Sequence, residues 1–232
     1  MAPAEWLTEL FSAYFPGVNR KNLFSKKSTI LDVGCGNGGL LYFLKEIGFQ
    51  DVLGIEPYGK DIIYSNGVVV LKKFIHEIDR HFDLIMFHHS FEHVEDPIKV
   101  MQCISRMLSK NGTCLIRMPT VDSYAWKHYK HKWVQLDAPR HFHIHSNKSM
   151  KLLADMAGLE LIKVVYDSSE FQFWGSEQYM REIPLMARDS YGVCKDQSIF
   201  SENEISMFKK NAEQLNANNQ GDSAAFYLRK PF

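Results

Sequence analysis

One short stretch, residues 29–41, constrains the fold of this chain more than any other. It begins with an apolar run that contains Ile30, Leu31 and Val33, and this run leads into closely spaced glycines. Apolar residues then recur at the spacing of a helix face, at Leu40, Leu41, Phe43, Leu44 and Ile47. The pattern predicts a strand, a tight turn and a helix. Because glycine permits positive φ and a helix start offers unpaired N–H groups, such a turn is suited to a nucleotide-like ligand.

The glycine turn fits two cofactor patterns. Gly34-Cys35-Gly36-Asn37-Gly38-Gly39 satisfies the dinucleotide pattern G-x-G-x-x-G and also the pattern [D/E]-x-G-x-G-x-G. Asp32 distinguishes them, because a carboxylate at the end of a buried strand would repel a pyrophosphate but attract a cationic methionine group. Glu56 ends the next predicted strand, residues 51–57, at about the interval at which an acidic residue meets a pair of ribose hydroxyls.

Strands and helices alternate along residues 28–118. Further strands are predicted at residues 67–71, 82–87 and 113–118. Asp96 and Pro97 predict the start of a helix, and Asn111-Gly112 predicts a turn into the strand that follows it. The alternation predicts an α/β, doubly wound, mostly parallel sheet that binds ligands at the carboxyl ends of its strands.

Two later segments, residues 120–145 and 170–222, interrupt this alternation. The first lacks clean periodicity and is dense in aromatic, histidine and lysine side chains, which is typical of a lid or binding element. The periodic parts of this region are a helix at 150–157, a strand at 159–166, a helix at 201–215 and a last, antiparallel strand at 224–229. We therefore predict a helical segment at residues 1–24 and one domain at 25–232 with two insertions.

The stretch Asp32–Gly38 resembles the first motif of class I S-adenosylmethionine-dependent methyltransferases, and the resemblance extends over about residues 25–166 plus the last strand. Phe91–Pro97 (FEHVEDP) is similar to small-molecule enzymes of the ubiquinone-biosynthesis type, and Pro139–Phe142 (PRHF) to sugar-modifying relatives. The resemblance implies a Rossmann-like methyltransferase fold with a seven-stranded sheet, an aromatic lid and a helical C-terminal insertion. The insertions at 120–145 and 170–222 would form the acceptor side.

The resemblance also implies a binding site for S-adenosylmethionine. The residues expected there are Asp32, Gly34, Cys35, Gly36, Gly38, Glu56, Pro57, Phe74 and His88. Phe74 or Ile75 would stack on the adenine, although core packing explains either residue equally well. His88 would lie near the methionine end, and a histidine packed in the core is the alternative.

The acceptor side calls for different chemistry. Methyl transfer from a sulfonium depends mainly on alignment, and a general base matters mainly when the acceptor is a hydroxyl. Histidine is the natural base near neutral pH, and we rank His141 first as the catalytic residue, His89 second and His93 third. The predicted acceptor-binding residues are Tyr124, Trp126, Trp133 and Arg140. Nearby lysines suit a phosphorylated, nucleotide-linked or carboxylated acceptor, or else form a solvated face.

The composition predicts a cytoplasmic protein that acts on a small molecule. The chain carries 27 Lys and Arg against 27 Asp and Glu, so no global field favours a nucleic acid or a membrane surface. Four scattered cysteines and the lack of an evident signal peptide favour reduced thiols. No metal site is predicted, although His141, His143 and His145 could share one face of an extended strand. A monomer and a homodimer both remain open.

We therefore predict transfer of a methyl group from S-adenosylmethionine to a small polar metabolite, with a hydroxyl of a sugar or related compound as the favoured acceptor. Two alternatives remain open at this point. One is an NAD(P)-dependent oxidoreductase, and the other is an S-adenosylmethionine-binding protein of the same fold without turnover.

Overall fold

The structure, a computed structural model, describes residues 14–17 and 25–231 and divides into two compact units. The sheet unit comprises the described residues up to Met118, Lys148–Val164 and the chain from Ala225 onward. The helical unit comprises Pro119–Asn147 and Val165–Ala224. Most of the helical segment that the sequence predicts over residues 1–24 lies outside the described residues.

The described residues form one sheet and six α-helices. The strands are β1 (Thr29–Val33), β2 (Asp51–Ile55), β3 (Ile62–Ile63), β4 (Val69–Leu71), β5 (Phe82–His88), β6 (Leu108–Pro119), β7 (Glu160–Tyr166) and β8 (Ser223–Arg229). The helices are α1 (Gly39–Glu46), α2 (Pro97–Met107), α3 (Tyr124–Tyr129), α4 (Asn147–Met156), α5 (Phe171–Met180) and α6 (Glu202–Ala217). The predicted alternation holds from β1 through α1 to β2 and from β5 through α2 to β6, whereas β2, β3 and β4 follow one another without an α-helix between them.

The sheet has the order β3-β4-β2-β1-β5-β6-β8-β7. β1 pairs in parallel with β2 and β5, β2 with β4, and β5 with β6. This arrangement brings the carboxyl ends of β1, β2 and β5 to one edge of the sheet, where a ligand of a doubly wound fold is expected.

The sheet has eight strands in the described part of the chain, so the predicted number of seven is wrong. The additional strand is β3, which pairs antiparallel with β4 in a hairpin. The Tyr64 N–H donates to the Val68 carbonyl at 2.9 Å, and Gly67 at φ +83° makes the turn. Two residues are too few to show an alternating pattern, which is why the sequence does not reveal this strand.

The turn predicted at Asn111-Gly112 is also wrong, because β6 already begins at Leu108. Phe82 pairs with Leu108 whereas Leu84 pairs with Thr113, so β6 carries extra residues at this point. A Cβ on Gly112 would lie 3.0 Å from the Phe82 carbonyl oxygen. Gly112 therefore permits a β-bulge at which the backbones of β5 and β6 approach each other closely.

The core of the sheet unit lies between the strands and the helices that cover them. Fully buried residues come from the central strands and from the inner faces of α1 and α2: Leu31, Ile55, Leu84, Ile85, Leu41, Leu44, Met101 and Ile104. The predicted start of α2 is confirmed, since Pro97 opens the helix and the Asp96 carboxylate accepts a hydrogen bond from the Lys99 N–H.

The helical unit has its own core, so residues 120–145 are not a structureless lid. The Ser123 hydroxyl accepts a hydrogen bond from the Trp126 N–H and caps α3. The buried core residues of this unit are Ala125, Tyr129, Trp133, Val134, Phe173 and Ala212. α3 spans only six residues, too short for its periodicity to be read from the sequence.

α5 also escapes detection by periodicity, because it is buried on several sides. Gln172, Gly175, Ser176 and Gln178 are buried along with the apolar Phe173, so no apolar stripe stands out. None of the helices in the described ranges is long and apolar enough to cross a membrane.

Candidate active site

The glycine turn between β1 and α1 is anchored on the neighbouring strand. The N–H groups of Gly34 and Cys35 both donate to the Ile55 carbonyl, at 2.8 and 3.2 Å. Gly34, Gly36 and Gly38 have φ values of +73°, +56° and +78°. These values lie in the left-handed region that favours glycine, so the backbone itself accounts for the spacing of the motif.

The space around the three glycines differs. A Cβ on Gly34 would overlap the Cβ of Ser90, whose hydroxyl donates to the Val33 carbonyl at 2.6 Å. A Cβ on Gly38 would lie 2.7 Å from a methyl group of Val70. Among the described residues, no atom lies within 4 Å of the corresponding position on Gly36. The turn is therefore packed at both ends and open at Gly36, where a ligand can approach the backbone.

Two further residues support the turn, and the sequence analysis did not identify either. A Cβ on Gly54 of β2 would lie 2.5 Å from the Cys35 sulfur, so β2 has no room for a side chain at this position beneath the turn. The Tyr64 hydroxyl, from the β3–β4 hairpin, donates to the Asn37 carbonyl at 2.6 Å. Both contacts depend on pairing between distant segments, which local sequence patterns do not report.

Asp32 at the carboxyl end of β1 is buried, with 3% of its surface exposed. Its Oδ1 has no hydrogen-bond partner among the described residues. Burial, followed by the charge of Glu56, raises the pKa of Asp32 to about 7. Because a buried carboxylate without a partner is costly, this position fits a ligand that brings a positive charge or a hydrogen-bond donor.

Glu56 is held beside the open part of the turn. Its Oε2 accepts from the Gly36 N–H at 3.1 Å and its Oε1 from the Tyr58 N–H at 3.3 Å. Pro57, which lies between Glu56 and Tyr58 in the sequence, is half-buried. The geometry gives Glu56 a fixed orientation next to Gly36, as binding of a ribose diol requires.

Cys35 lies in the same turn, but its thiol is not set up for covalent chemistry. Burial raises the pKa of the Cys35 thiol, and the charges of Asp32 and Glu56 raise it further. Since the thiolate is the reactive form, this cysteine is a packing residue of the turn.

Phe74, which follows β4, presents an exposed aromatic face. Its side chain is 46% exposed, stacks on His76 at 5.6 Å and meets the edge of Tyr58 at 6.1 Å. Ile75 is 6% exposed and belongs to the core. Of the two residues expected near an adenine, Phe74 is therefore the one whose ring is partly exposed. Tyr58, which the sequence pattern does not single out, places a second exposed ring next to Phe74.

His88 ends β5 and is enclosed by aromatic rings. Tyr14 and Phe15 meet its ring edge-on at 5.6 and 6.1 Å, and neither ring nitrogen has a hydrogen-bond partner among the described residues. Burial, with the charges of Arg117 and His89, lowers the pKa of His88 to about 3. The imidazole is therefore neutral at physiological pH and places no positive charge at this edge of the sheet.

The next residues form a short segment after β5 that carries two of the ranked histidines. His89 has a left-handed backbone with φ +52°, and its Nδ1 lies 3.6 Å from the Oε1 of Glu92. Glu92 is 1% exposed, whereas His93 is exposed. His89 and His93 are the second- and third-ranked candidate bases, and Glu92 lies between them in the chain.

His141, the first-ranked histidine, lies in the helical unit and is held by its own loop. Its Nδ1 is 2.8 Å from the Gln135 carbonyl oxygen and its Nε2 is 3.7 Å from a carboxylate oxygen of Asp137. Arg140 pairs with the same carboxylate at 2.7 Å, with 73% of its side chain exposed. His143 and His145 stack on each other with ring centroids 5.8 Å apart.

The predicted acceptor-binding aromatics differ in exposure. Tyr124 is 38% exposed and stacks on His128 at 5.2 Å. Trp126 is half-buried, with the Lys130 ammonium 5.8 Å from its ring. Trp133 is 1% exposed and its indole N–H donates to Asp222 at 2.9 Å. The acceptor role expected for Trp133 is therefore corrected, because its side chain fills the core of the helical unit.

Comparison with known proteins places this site in a family. A family model described as a methyltransferase domain matches residues 6–164. A search of curated proteins found no significant match. Among solved structures, a SAM-dependent methyltransferase from Archaeoglobus fulgidus is 20% identical, covers 97% of this chain and 94% of that chain, and has a TM-score of 0.54.

Two other solved structures give the same result. A mycolic acid cyclopropane synthase complexed with S-adenosylhomocysteine is 16% identical over 96% of this chain and 84% of that chain, with a TM-score of 0.59. A candidate sarcosine dimethylglycine methyltransferase from Galdieria sulphuraria is 18% identical over 97% and 84%, with a TM-score of 0.56. At these identities the likeness establishes the fold, and none of these matches supports the oxidoreductase alternative.

Proposed function

We propose a specific reaction for this chain, which belongs to the methyltransferase domain family and takes S-adenosylmethionine as its methyl donor. The methyl group passes to a small polar metabolite, with a hydroxyl of a sugar or related compound as the favoured acceptor. The observation that carries the proposal is the buried Asp32, whose Oδ1 has no hydrogen-bond partner in the described part of the chain, in the same motif as the open backbone of Gly36. A turn of this kind accepts a cationic ligand in a way that it would not accept a pyrophosphate.

The residues of the sheet unit fit the donor. Asp32 would hold the amino acid end, the carboxylate of Glu56 would accept hydrogen bonds from the ribose, and Phe74 and Tyr58 would offer rings to the adenine. His88 is neutral, so it does not repel a sulfonium. When bound, S-adenosylmethionine supplies an electrophilic methyl group, and the protein contributes mainly alignment, which is worth ~7–11 kcal/mol in well-oriented reactions.

The acceptor side is assigned to exposed groups of the helical unit. Tyr124 with its stacked His128, Trp126 with Lys130, and Arg140 combine aromatic faces with positive charge. Such a set suits a compact polar acceptor that carries a phosphate, a nucleotide or a carboxylate. Trp133 is excluded from this set because it is buried.

A hydroxyl acceptor calls for a general base, and His141 and His89 are the candidates. Nδ1 of His141 lies 2.8 Å from the Gln135 carbonyl oxygen, which directs the tautomer of that ring, and Nδ1 of His89 lies 3.6 Å from a carboxylate oxygen of Glu92. A positioned base typically contributes ~10²–10⁴-fold in rate. We therefore expect one of the two to be required for turnover but not for donor binding.

A methyl-transfer screen tests the proposal. The protein is incubated with S-adenosylmethionine labelled in its methyl group and with nucleotide sugars, sugars, quinone precursors and small acids in turn. The expected result is label on a hydroxyl oxygen of one compound class, and Asp32→Ala serves as the donor-site control. Label found only on nitrogen or carbon would contradict the hydroxyl assignment, and donor binding without transfer to any compound would favour a non-catalytic binding protein.

Two further expectations belong to this proposal. The acceptor is a free small molecule, not a nucleic acid or a membrane, and the chain works in the cytoplasm as a monomer or homodimer. Light scattering of the purified protein at several concentrations measures its oligomeric state, and a higher oligomer would contradict the expectation.

A further inference from the structure

Glu92 is a buried carboxylate to which the proposed donor site gives no role. It lies in the short helical turn Phe91–His93 that follows β5, with 1% of its surface exposed. Its Oε2 has no hydrogen-bond partner among the described residues. Since a buried polar group without a partner is costly, a carboxylate retained at this position requires an explanation.

His89 offers this carboxylate a cationic partner when its ring is protonated. Its Nδ1 lies 3.6 Å from Oε1 of Glu92, and 39% of its side chain is exposed. The ring therefore extends from a buried carboxylate towards the surface of the sheet unit. This leaves Nε2 as the ring nitrogen on the side away from Glu92.

The backbone holds His89 in an uncommon conformation. Its φ of +52° lies in the left-handed region, which residues other than glycine seldom adopt. Its N–H donates to the Arg117 carbonyl at 2.9 Å, which fixes the residue at the end of β5. Local strain of this kind persists where the surrounding structure over-determines the position of a side chain.

The pair is also tied to the donor site within the sheet unit. His89 directly precedes Ser90, whose hydroxyl donates to the Val33 carbonyl at 2.6 Å and whose Cβ closes the space above Gly34. Two residues after Ser90 the chain reaches Glu92. The carboxylate, the histidine and the glycine turn therefore lie at one edge of the sheet.

We infer that Glu92 is a positioning residue whose carboxylate pairs with the Nδ1 side of the His89 ring, at 3.6 Å, and so leaves Nε2 as the general base for the acceptor. This inference rests on the proposed function. In the step, the acceptor oxygen forms a bond to the methyl carbon while the carbon–sulfur bond breaks and its electron pair stays on sulfur. The acceptor proton passes to Nε2 of His89, and Glu92 stabilises the imidazolium that results.

Two neighbouring groups differ from the pair in burial and charge. His88, next to His89, has its pKa lowered to about 3 by burial and by the charges of Arg117 and His89, so it stays neutral. His93 is exposed and has a ring nitrogen within 4.8 Å of a carboxylate oxygen of Glu92. Arg117 contributes the backbone carbonyl that receives the His89 N–H. Glu92 is the group that supplies negative charge to His89 in this segment.

The tautomer of His89 tests the inference directly. Imidazole ¹⁵N NMR spectra are recorded on the protein saturated with S-adenosylhomocysteine, and the His89 signals are assigned by their loss in His89→Asn. The wild-type ring is expected as the Nδ1–H tautomer. In Glu92→Gln, loss of the carboxylate is expected to shift the neutral ring towards the Nε2–H tautomer. Glu95→Gln, which changes an exposed carboxylate in the same segment, is the matched control and should leave the tautomer as in the wild type.

Several outcomes would overturn the inference. A wild-type Nε2–H tautomer does so even if Glu92→Gln fails to fold, and so does an unchanged His89 tautomer in a folded Glu92→Gln variant. With the acceptor from the screen, Glu92→Gln should lower kcat at least about tenfold while S-adenosylhomocysteine binds as in the wild type. If wild-type protein does not bind S-adenosylhomocysteine, the proposed function itself has failed, which is a different result from a wrong role for Glu92.

Discussion

The hydroxyl of Ser90 donates to the Val33 carbonyl at 2.6 Å, and its Cβ occupies the space where a side chain on Gly34 would begin. The segment after β5 therefore packs directly on the turn after β1. This contact explains why a glycine is required at the first position of the motif. Gly36 has a similar positive φ, but no described atom lies where its side chain would begin.

Gly34→Ala and Gly36→Ala should therefore differ. Both place a Cβ on a residue with positive φ, but only the first also overlaps Ser90. We expect Gly34→Ala to lower the free energy of unfolding by about 1–3 kcal/mol more than Gly36→Ala, measured by urea denaturation. Gly36→Ala should instead weaken binding of S-adenosylhomocysteine, because it fills the face that the ligand approaches. Equal losses of stability would contradict the packing role of Ser90.

Glu56→Ala should weaken binding of S-adenosylhomocysteine by ~1–3 kcal/mol, because charge-assisted hydrogen bonds to the ribose are lost. Isothermal titration calorimetry measures the change. Glu213→Ala, which removes an exposed carboxylate from α6, is the control and should bind as the wild type does. An unchanged affinity in Glu56→Ala would remove Glu56 from the ribose site.

Asp32 should make the stability of the ligand-free protein depend on pH. Burial and Glu56 raise the pKa of Asp32 from an ordinary 3.8 to about 7 in the folded state. Between these values the folded protein binds more protons than the unfolded chain, so the free energy of unfolding falls as the pH rises from about 4 to about 7. The full effect of this shift is on the order of 4 kcal/mol.

Asp32→Asn isolates this contribution. Urea denaturation at several pH values between 4 and 7.5 should show a shallower decline in the variant than in the wild type. Asp222, whose pKa burial raises to about 6, contributes with the same sign in both proteins and cancels in the comparison. Parallel curves for wild type and Asp32→Asn would contradict the raised pKa.

The substitution Trp133→Phe tests whether the Trp133 side chain serves in packing. The substitution removes the indole N–H that donates to the buried Asp222 and leaves that carboxylate without this bond. We expect the free energy of unfolding to fall by ~1–3 kcal/mol while the affinity for S-adenosylhomocysteine stays the same. The variant Tyr124→Phe, at a partly exposed ring, should leave stability close to wild type. An unchanged stability in Trp133→Phe would argue against a structural role.

The sequence predicts the elements around the glycine turn well, because their signals are local. The β1 run, the glycines and Asp32 lie within ten residues, and the helix start at Asp96-Pro97 is equally local. The bulge at Gly112 was mistaken for a turn, since either structure favours glycine and only the pairing of Phe82 with Leu108 distinguishes them. Likewise, β3 is too short to carry a pattern of its own.

The helical unit is harder to predict for a physical reason. Its aromatic residues form a second core, so Trp133 is of a residue type expected in a binding site but has the environment of a packing residue. Gln172 and Gln178 in α5 are buried polar residues, and they interrupt the apolar stripe by which a helix is recognised in a sequence. The pairing of Glu92 with His89 is not predictable from the sequence, because burial of a carboxylate next to a histidine is a property of the folded chain.

Calorimetric titration of the protein with S-adenosylhomocysteine and, separately, with NAD tests the central claim most directly. The account predicts saturable binding of S-adenosylhomocysteine that is weakened in Asp32→Ala, and no comparable binding of NAD. Tight binding of NAD with no response to S-adenosylhomocysteine would contradict it.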